Sequence, residues 1–104
     1  MTYLKDIPVK HVMNGIDGHY AHGAQTTFGL VLIAKGTAMP EHSHPHEQVT
    51  YIVDGELEMT IGGKTMLLKT GMFYVIPSNT PHSVNAYVDS TTIAVFSPVR
   101  EEYK

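Results

Sequence analysis

Apolar and polar positions alternate along most of this chain, in short runs. Glu56–Ile61 alternates polar and apolar without a slip, the pattern of a strand that buries one face only. Residues 27–34, 48–53, 64–68, 72–76, 82–87 and 91–96 are further strand-like runs, rich in Val, Ile, Thr, Tyr and Phe. Gly62 and Gly63 stand between two such runs and predict a two-residue hairpin turn with positive φ at both positions. Residues 9–13 and 19–22 read as short edge strands. No 3.6-residue apolar period persists for three turns, so the pattern predicts an all-β chain, a barrel or sandwich. With His82 facing inward, Val84 and Ala86 follow it, while Ser83 and Asn85 face out; Leu57, Met59 and Ile61 form one apolar lining.

A length of 104 residues suits one small domain, expected to span 1–104. Lys and Arg number 7 against 10 acidic residues, giving a formal charge of −3, the wrong sign for gripping a phosphate backbone. Nucleic acid is therefore not an expected partner. With no cysteine, disulfide staples, thiolate metal sites and cysteine nucleophiles are excluded. No apolar run approaches the roughly 20 residues that span a bilayer, and the first residues lack the apolar stretch of a secretory signal. A soluble, cytoplasmic protein with no membrane partner is the expectation.

Candidate chemistry comes from histidine, which occurs seven times. On a strand, alternate residues share a face, so His42, His44 and Gln48 can converge inward, with His82 brought opposite by a neighbouring strand. Neutral imidazole is the commonest ligand for first-row divalent metals, and an amide oxygen can serve beside it. Three nitrogens and one oxygen would hold one divalent transition metal (Mn, Ni, Fe or Zn) and leave positions open. His46 shares their parity and is a candidate fifth ligand; Pro45 disturbs the strand there, and the alternative is a place at the cavity rim or on the surface. His11, His19 and His22 have no spacing partner and read as partly exposed polar residues.

From Gly36 to Gly55 the chain resembles the first motif of the cupins, G-x5-H-x-H-x3-E-x6-G, with Gln48 at the Glu position. From Gly71 through Pro77 and His82 it resembles the second, G-x5-P-x-G-x2-H-x3-N, which runs to residue 86. Asn79 replaces the motif's Gly, and Asn tolerates the left-handed region best among other residues. The closing Asn falls one place early, at Asn85, with Ala86 in its position. The resemblance implies a small double-stranded β-helix, a jelly-roll-type barrel, and a homodimer paired through sheet edges, either residues 9–13 or the Thr-rich last strand. Gln48 in place of Glu leaves only neutral ligands, so the full charge of the metal is available to an anion.

Phe96, Pro98 and Arg100 after the last strand, with the histidine cluster, are similar to the pectin-degradation cupins of the KdgF type. That resemblance implies metal-dependent isomerisation or linearisation of an unsaturated uronate, a small anionic substrate of carbohydrate metabolism. It gives the metal to His42, His44, Gln48 and His82, and the substrate pocket to Phe96 and Arg100, the only arginine in the chain. Pro98 is expected to turn Arg100 over the cavity mouth; its alternative is a surface pair with Glu101 or Glu102. The family's Asp, the natural proton-transfer group, is Ala94 here, so Tyr74, His46 or a hydroxide on the metal must stand in. Tyr51, Tyr74 and Phe96 are the aromatic candidates for flanking the metal. The alternatives are a dioxygenase-type cupin and a non-catalytic metal- or ligand-binding module.

Overall fold

The alternation is realised as two antiparallel sheets in a computed structural model that describes residues 2–104. Among the described residues the strands are β1 (Lys10–Met13), β2 (Ile16–His22), β3 (Thr27–Ile33), β4 (Ala38–His42) and β5 (Glu47–Asp54). They continue as β6 (Glu56–Ile61), β7 (Lys64–Lys69), β8 (Phe73–Ile76), β9 (His82–Ala86) and β10 (Ser90–Ser97). One sheet runs β1-β2-β3-β10-β5-β8 and the other β4-β9-β6-β7, the layout of a jelly-roll barrel. Among the described residues no helix is long and apolar enough to cross a membrane.

Local sequence sets the turns. Gly62 and Gly63 take φ of 57° and 81° between β6 and β7, and Asn79 takes φ of 60°, as their residue types allow. Two expectations fail. The strand read at 19–22 begins at Ile16 and lies between β1 and β3, so it is not an edge. The Thr-rich last strand is flanked by β3 and β5, so it has no free edge to offer a second copy. β4 escaped the pattern altogether, because Pro40 and Glu41 break its apolar alternation.

The inward faces of both sheets build one core around Ile52, Leu57, Met59 and Ile76, all essentially excluded from water. Each such side chain stabilises the fold by about 1.5–3 kcal/mol through burial. Register matters most in one inward row: Tyr20 on β2 pairs with Gly29 on β3, which pairs with Ala94 on β10, which pairs with Thr50 on β5. Gly29 and Gly18 leave the space that the Tyr20 ring fills. A Cβ at Gly29 would lie 2.5 Å from that ring, and one at Gly18 only 2.3 Å from it. The glycines thus let an aromatic ring lie flat inside the barrel.

Candidate metal centre and cavity

His42 closes β4, and its partner across the ladder is His82, the first residue of β9. Gln48 sits on β5, one residue in from its start. His44 is on neither strand; it belongs to the segment that links β4 to β5. The three imidazoles nonetheless meet, each offering a ring nitrogen within 4.8 Å of the others. Their ring centres lie 4.2 Å apart for His42 and His82 and 5.0 Å apart for His44 and His82.

Hydrogen bonding fixes which nitrogens are free. His42 Nδ1 donates to the Pro40 carbonyl at 3.0 Å, His44 Nδ1 to the His46 carbonyl at 2.9 Å, and His82 Nδ1 to the Thr80 carbonyl at 2.8 Å. A carbonyl can only accept, so each Nδ1 carries the proton and each neutral ring keeps a lone pair on Nε2. His82 Nε2 is buried with no hydrogen-bond partner. His44 Nε2 faces Gln48 Oε1 at 3.0 Å, while the Gln48 amide nitrogen donates to Thr50 Oγ1, also at 3.0 Å. A ring lone pair thus confronts an amide oxygen with no proton between them. Such a contact is resolved by a cation that both can ligate, and backbone carbonyls holding the far nitrogens are what metal-binding imidazoles require. His42, His44, Gln48 and His82 therefore fit a divalent cation.

Burial lowers the proton affinity of His44 and of His82, and the nearby Arg100 charge adds to it at both. Below the ordinary imidazole value the unfolded chain binds protons that the folded chain refuses. The metal-free protein should accordingly be at full stability above about pH 7 and lose stability as acid is added, over the range below 6.5. Urea midpoints at about pH 7.5 and about pH 5.5 check this, and an unchanged midpoint would contradict it.

Beside the imidazoles lies a cavity of ≈ 60 Å³ lined by His42, Gln48, His82, Ala94, Phe96 and Arg100 among others. Arg100 is buried, as the turn at Pro98 suggested, and its guanidinium carbon lies 4.8 Å from the Phe96 ring centre and 4.3 Å from that of Tyr103. The expected surface pair also exists: Arg100 Nε donates to Glu102. The pair with Glu102 holds a guanidinium that is itself buried and lies over both rings, so Arg100 is not a surface residue.

Several expectations need correction. Tyr74 packs at the side of the core and is not among the cavity-lining residues. Tyr51 faces outward and is exposed, because the inward positions of β5 are those of Gln48, Thr50 and Ile52. His46 is buried rather than at the surface, with Nε2 donating to the Val99 carbonyl at 3.2 Å, and it is not part of the three-imidazole group.

Tyr20 and Tyr103 were missed. Their rings stack with centres 4.4 Å apart, both line the cavity, and burial pushes both hydroxyls above the ordinary phenol value. The shared parity of Gly18 and Tyr20 on one strand was the available signal. His22 was also underrated. Its Nε2 donates to the Tyr103 carbonyl at 3.1 Å, its Nδ1 meets the buried Thr27 hydroxyl at 2.9 Å, and that hydroxyl accepts the Arg100 backbone N–H at 2.8 Å. This chain of bonds pins the tail that carries Arg100.

Comparison with known proteins agrees with this geometry. The cupin domain model matches residues 29–97. The pectin degradation protein KdgF of Dickeya dadantii is 36% identical over 75 residues, which cover 70% of this chain and 68% of that protein. Quercetin 2,3-dioxygenase of Bacillus subtilis is also 36% identical, over 74% of this chain but only 24% of its own length. Among solved structures, KdgF from a Halomonas species superposes with a TM-score of 0.88 at 29% identity, covering 96% of this chain and 94% of that one. An RmlC-like cupin of Shewanella frigidimarina reaches 0.93 at 22% identity, over 100% of this chain and 95% of that one, which speaks for the fold. The matched span runs from within β3 to the end of β10 and holds all four candidate ligands and Ala94, so this chain belongs to the cupin family, among its small KdgF-like members.

Proposed function

We propose that this chain is a metal-dependent isomerase acting on a small sugar acid, an unsaturated uronate that it converts to the open-chain keto form. The observation that carries the reading is the single arginine, buried in the wall of the cavity that holds the imidazole cluster. A guanidinium there suits a carboxylate, which it can grip with two parallel N–H donors. The likeness to two KdgF proteins supports the same substrate class.

The reaction needs no co-reactant. Opening the ring breaks the bond between the anomeric carbon and the ring oxygen. The anomeric hydroxyl loses a proton and becomes the new aldehyde. The enol released at the other end takes up a proton on carbon and becomes a ketone. A divalent cation held by His42, His44, Gln48 and His82 would supply the electrophile that polarises the substrate oxygen. Arg100 holds the carboxylate, and Phe96 forms the wall beneath the guanidinium. Ala94 presents a methyl group where a carboxylate would otherwise face the cavity, and no Asp or Glu is among the cavity-lining residues. Tyr20 and Tyr103, whose rings line the cavity, are then the phenolic hydroxyls assigned the proton transfer.

The test is a panel of 4,5-unsaturated uronates followed by NMR with metal-loaded and chelated protein. Conversion to the keto acid that stops on chelation is expected, whereas no conversion of any uronate overturns the proposal. Oxygen uptake with ferrous iron in place of uronate conversion would put the chain with the dioxygenase-type cupins. Thermal stabilisation by uronates without turnover would make it a binding module.

A further inference from the structure

β10 ends at Ser97, and beyond it the backbone of residues 98–104 bonds to other backbone only within its own short turn. Side chains of other elements hold it instead. His46 Nε2 donates to the Val99 carbonyl, the Arg100 N–H donates to Thr27 Oγ1, and His22 Nε2 donates to the Tyr103 carbonyl. Register explains how two of these side chains reach the tail. His22 pairs with Thr27 across β2 and β3, Thr27 with Phe96 on β10, and Phe96 with Gln48 on β5. His22 shares the inward parity of Gly18 and Tyr20, so this row runs from the end of β2 to a candidate metal ligand. Thr27 is wholly buried and His22 half-buried, yet neither lines the cavity.

Bonding fixes where the protons of this row sit. A carbonyl only accepts, so His22 carries a proton on Nε2, facing Tyr103. Nδ1 of the neutral ring is then an acceptor, and the Thr27 hydroxyl donates to it at 2.9 Å. The same hydroxyl oxygen accepts the Arg100 N–H at 2.8 Å. The tautomer is the opposite of that at His42, His44 and His82, whose protons sit on Nδ1. The two ends of the relay reach different residues. One fixes the backbone of Arg100, whose guanidinium is assigned the carboxylate; the other fixes that of Tyr103, whose hydroxyl is assigned a proton transfer. We propose that His22, in its Nε2–H tautomer, is a positioning residue for the opening of the uronate, placing Arg100 through Thr27 and Tyr103 directly. The proposal rests on the uronate reading of the site. A group misplaced by about 1 Å can cost about 100-fold in rate, and no strand ladder holds these two in place.

Two substitutions cut the relay at different points. Thr27→Val keeps the shape but leaves the Arg100 N–H unpaired, and KM for a uronate should rise about 10-fold with kcat within a few-fold. Thr27→Ser, which returns the hydroxyl, should restore KM. His22→Asn keeps an acceptor for Thr27 but loses the donor to Tyr103, so kcat should fall about 10-fold with KM nearly unchanged. His22→Gln, which returns an N–H at that reach, should restore most of kcat. NMR of the zinc-loaded, ¹⁵N-labelled chain at about pH 8, where imidazole is neutral, gives a readout apart from turnover. His22 should carry its proton on Nε2. The Arg100 Nε–H should show the ring-current shift of a group over the Phe96 and Tyr103 rings, reduced in Thr27→Val and in His22→Asn. A proton on His22 Nδ1 overturns the proposal. So do variants that lower the melting temperature without moving the Arg100 signal or separating KM from kcat. His22 is half-buried, so its variants fold even where Thr27→Val does not, and they carry the test alone. If the parent opens no uronate, the functional reading falls, while the NMR signals still decide whether His22 places Arg100 and Tyr103.

Discussion

Replacing His82 by alanine should abolish tight binding of a divalent cation while leaving the barrel folded. His82 is almost wholly buried at the start of β9, with Nδ1 tied to Thr80 and Nε2 aimed without a partner at the imidazoles of His42 and His44. Losing the partner carbonyl of a metal-bound imidazole typically costs 10–100-fold in affinity; losing the imidazole itself should cost more, about 1,000-fold. The same change removes a buried nitrogen that has no partner but also the Nδ1 bond to Thr80 and the packing of the ring, so the metal-free fold should lose some stability yet remain folded. Elemental analysis of the purified variant, with calorimetric titration of metal into it, reads the first effect. The increment in melting temperature on metal addition reads the second, present in the parent and absent in the variant. Stoichiometric metal retained by His82→Ala would show that the four-ligand centre is wrong.

The convergence of these side chains was legible in the sequence by a route that was only partly right. Strand parity selected His42, His44 and Gln48, yet β4 ends at His42 and β5 begins at Glu47. His44 reaches the site from a link, aimed by its bond to the His46 carbonyl. Spacing survives such a change because the link is short and the histidine ring long. His82 was legible because its turn residues, Pro77 through Pro81, leave little choice of where β9 begins. What alternation could not show was anything set by contacts between distant segments. Tyr103 enters the cavity because Thr27 and His22, over seventy residues earlier, hold the tail by its backbone. Tyr74 and Tyr51 were misplaced for the converse reason, since aromatic residues near a metal motif in sequence can face the side or the outside of the same strand. The row from His22 to Gln48 needed register across four strands, which no single strand reveals.

Arg100 is the second residue whose change should be large, and its effect should fall on KM. The guanidinium lies over the rings of Phe96 and Tyr103, lines the cavity, and is paired with Glu102. A charged hydrogen bond contributes about 1.5–3 kcal/mol, so Arg100→Met, which keeps the volume but not the donors, should raise KM for a uronate roughly 10–100-fold. Arg100→Lys keeps the charge but loses the planar fork and should recover only part of that. The corresponding uronamide, which has no charge to pair, should bind the parent and both variants alike. This control separates anion recognition from packing: if stacking on Tyr103 were all that Arg100 does, acid and amide would suffer together. Similar KM increases for both would remove Arg100 from the substrate site and leave it a clamp on the tail. A KM effect confined to the acid, with kcat within a few-fold of the parent, would place the carboxylate beside the imidazole cluster and so orient the rest of the sugar toward the metal.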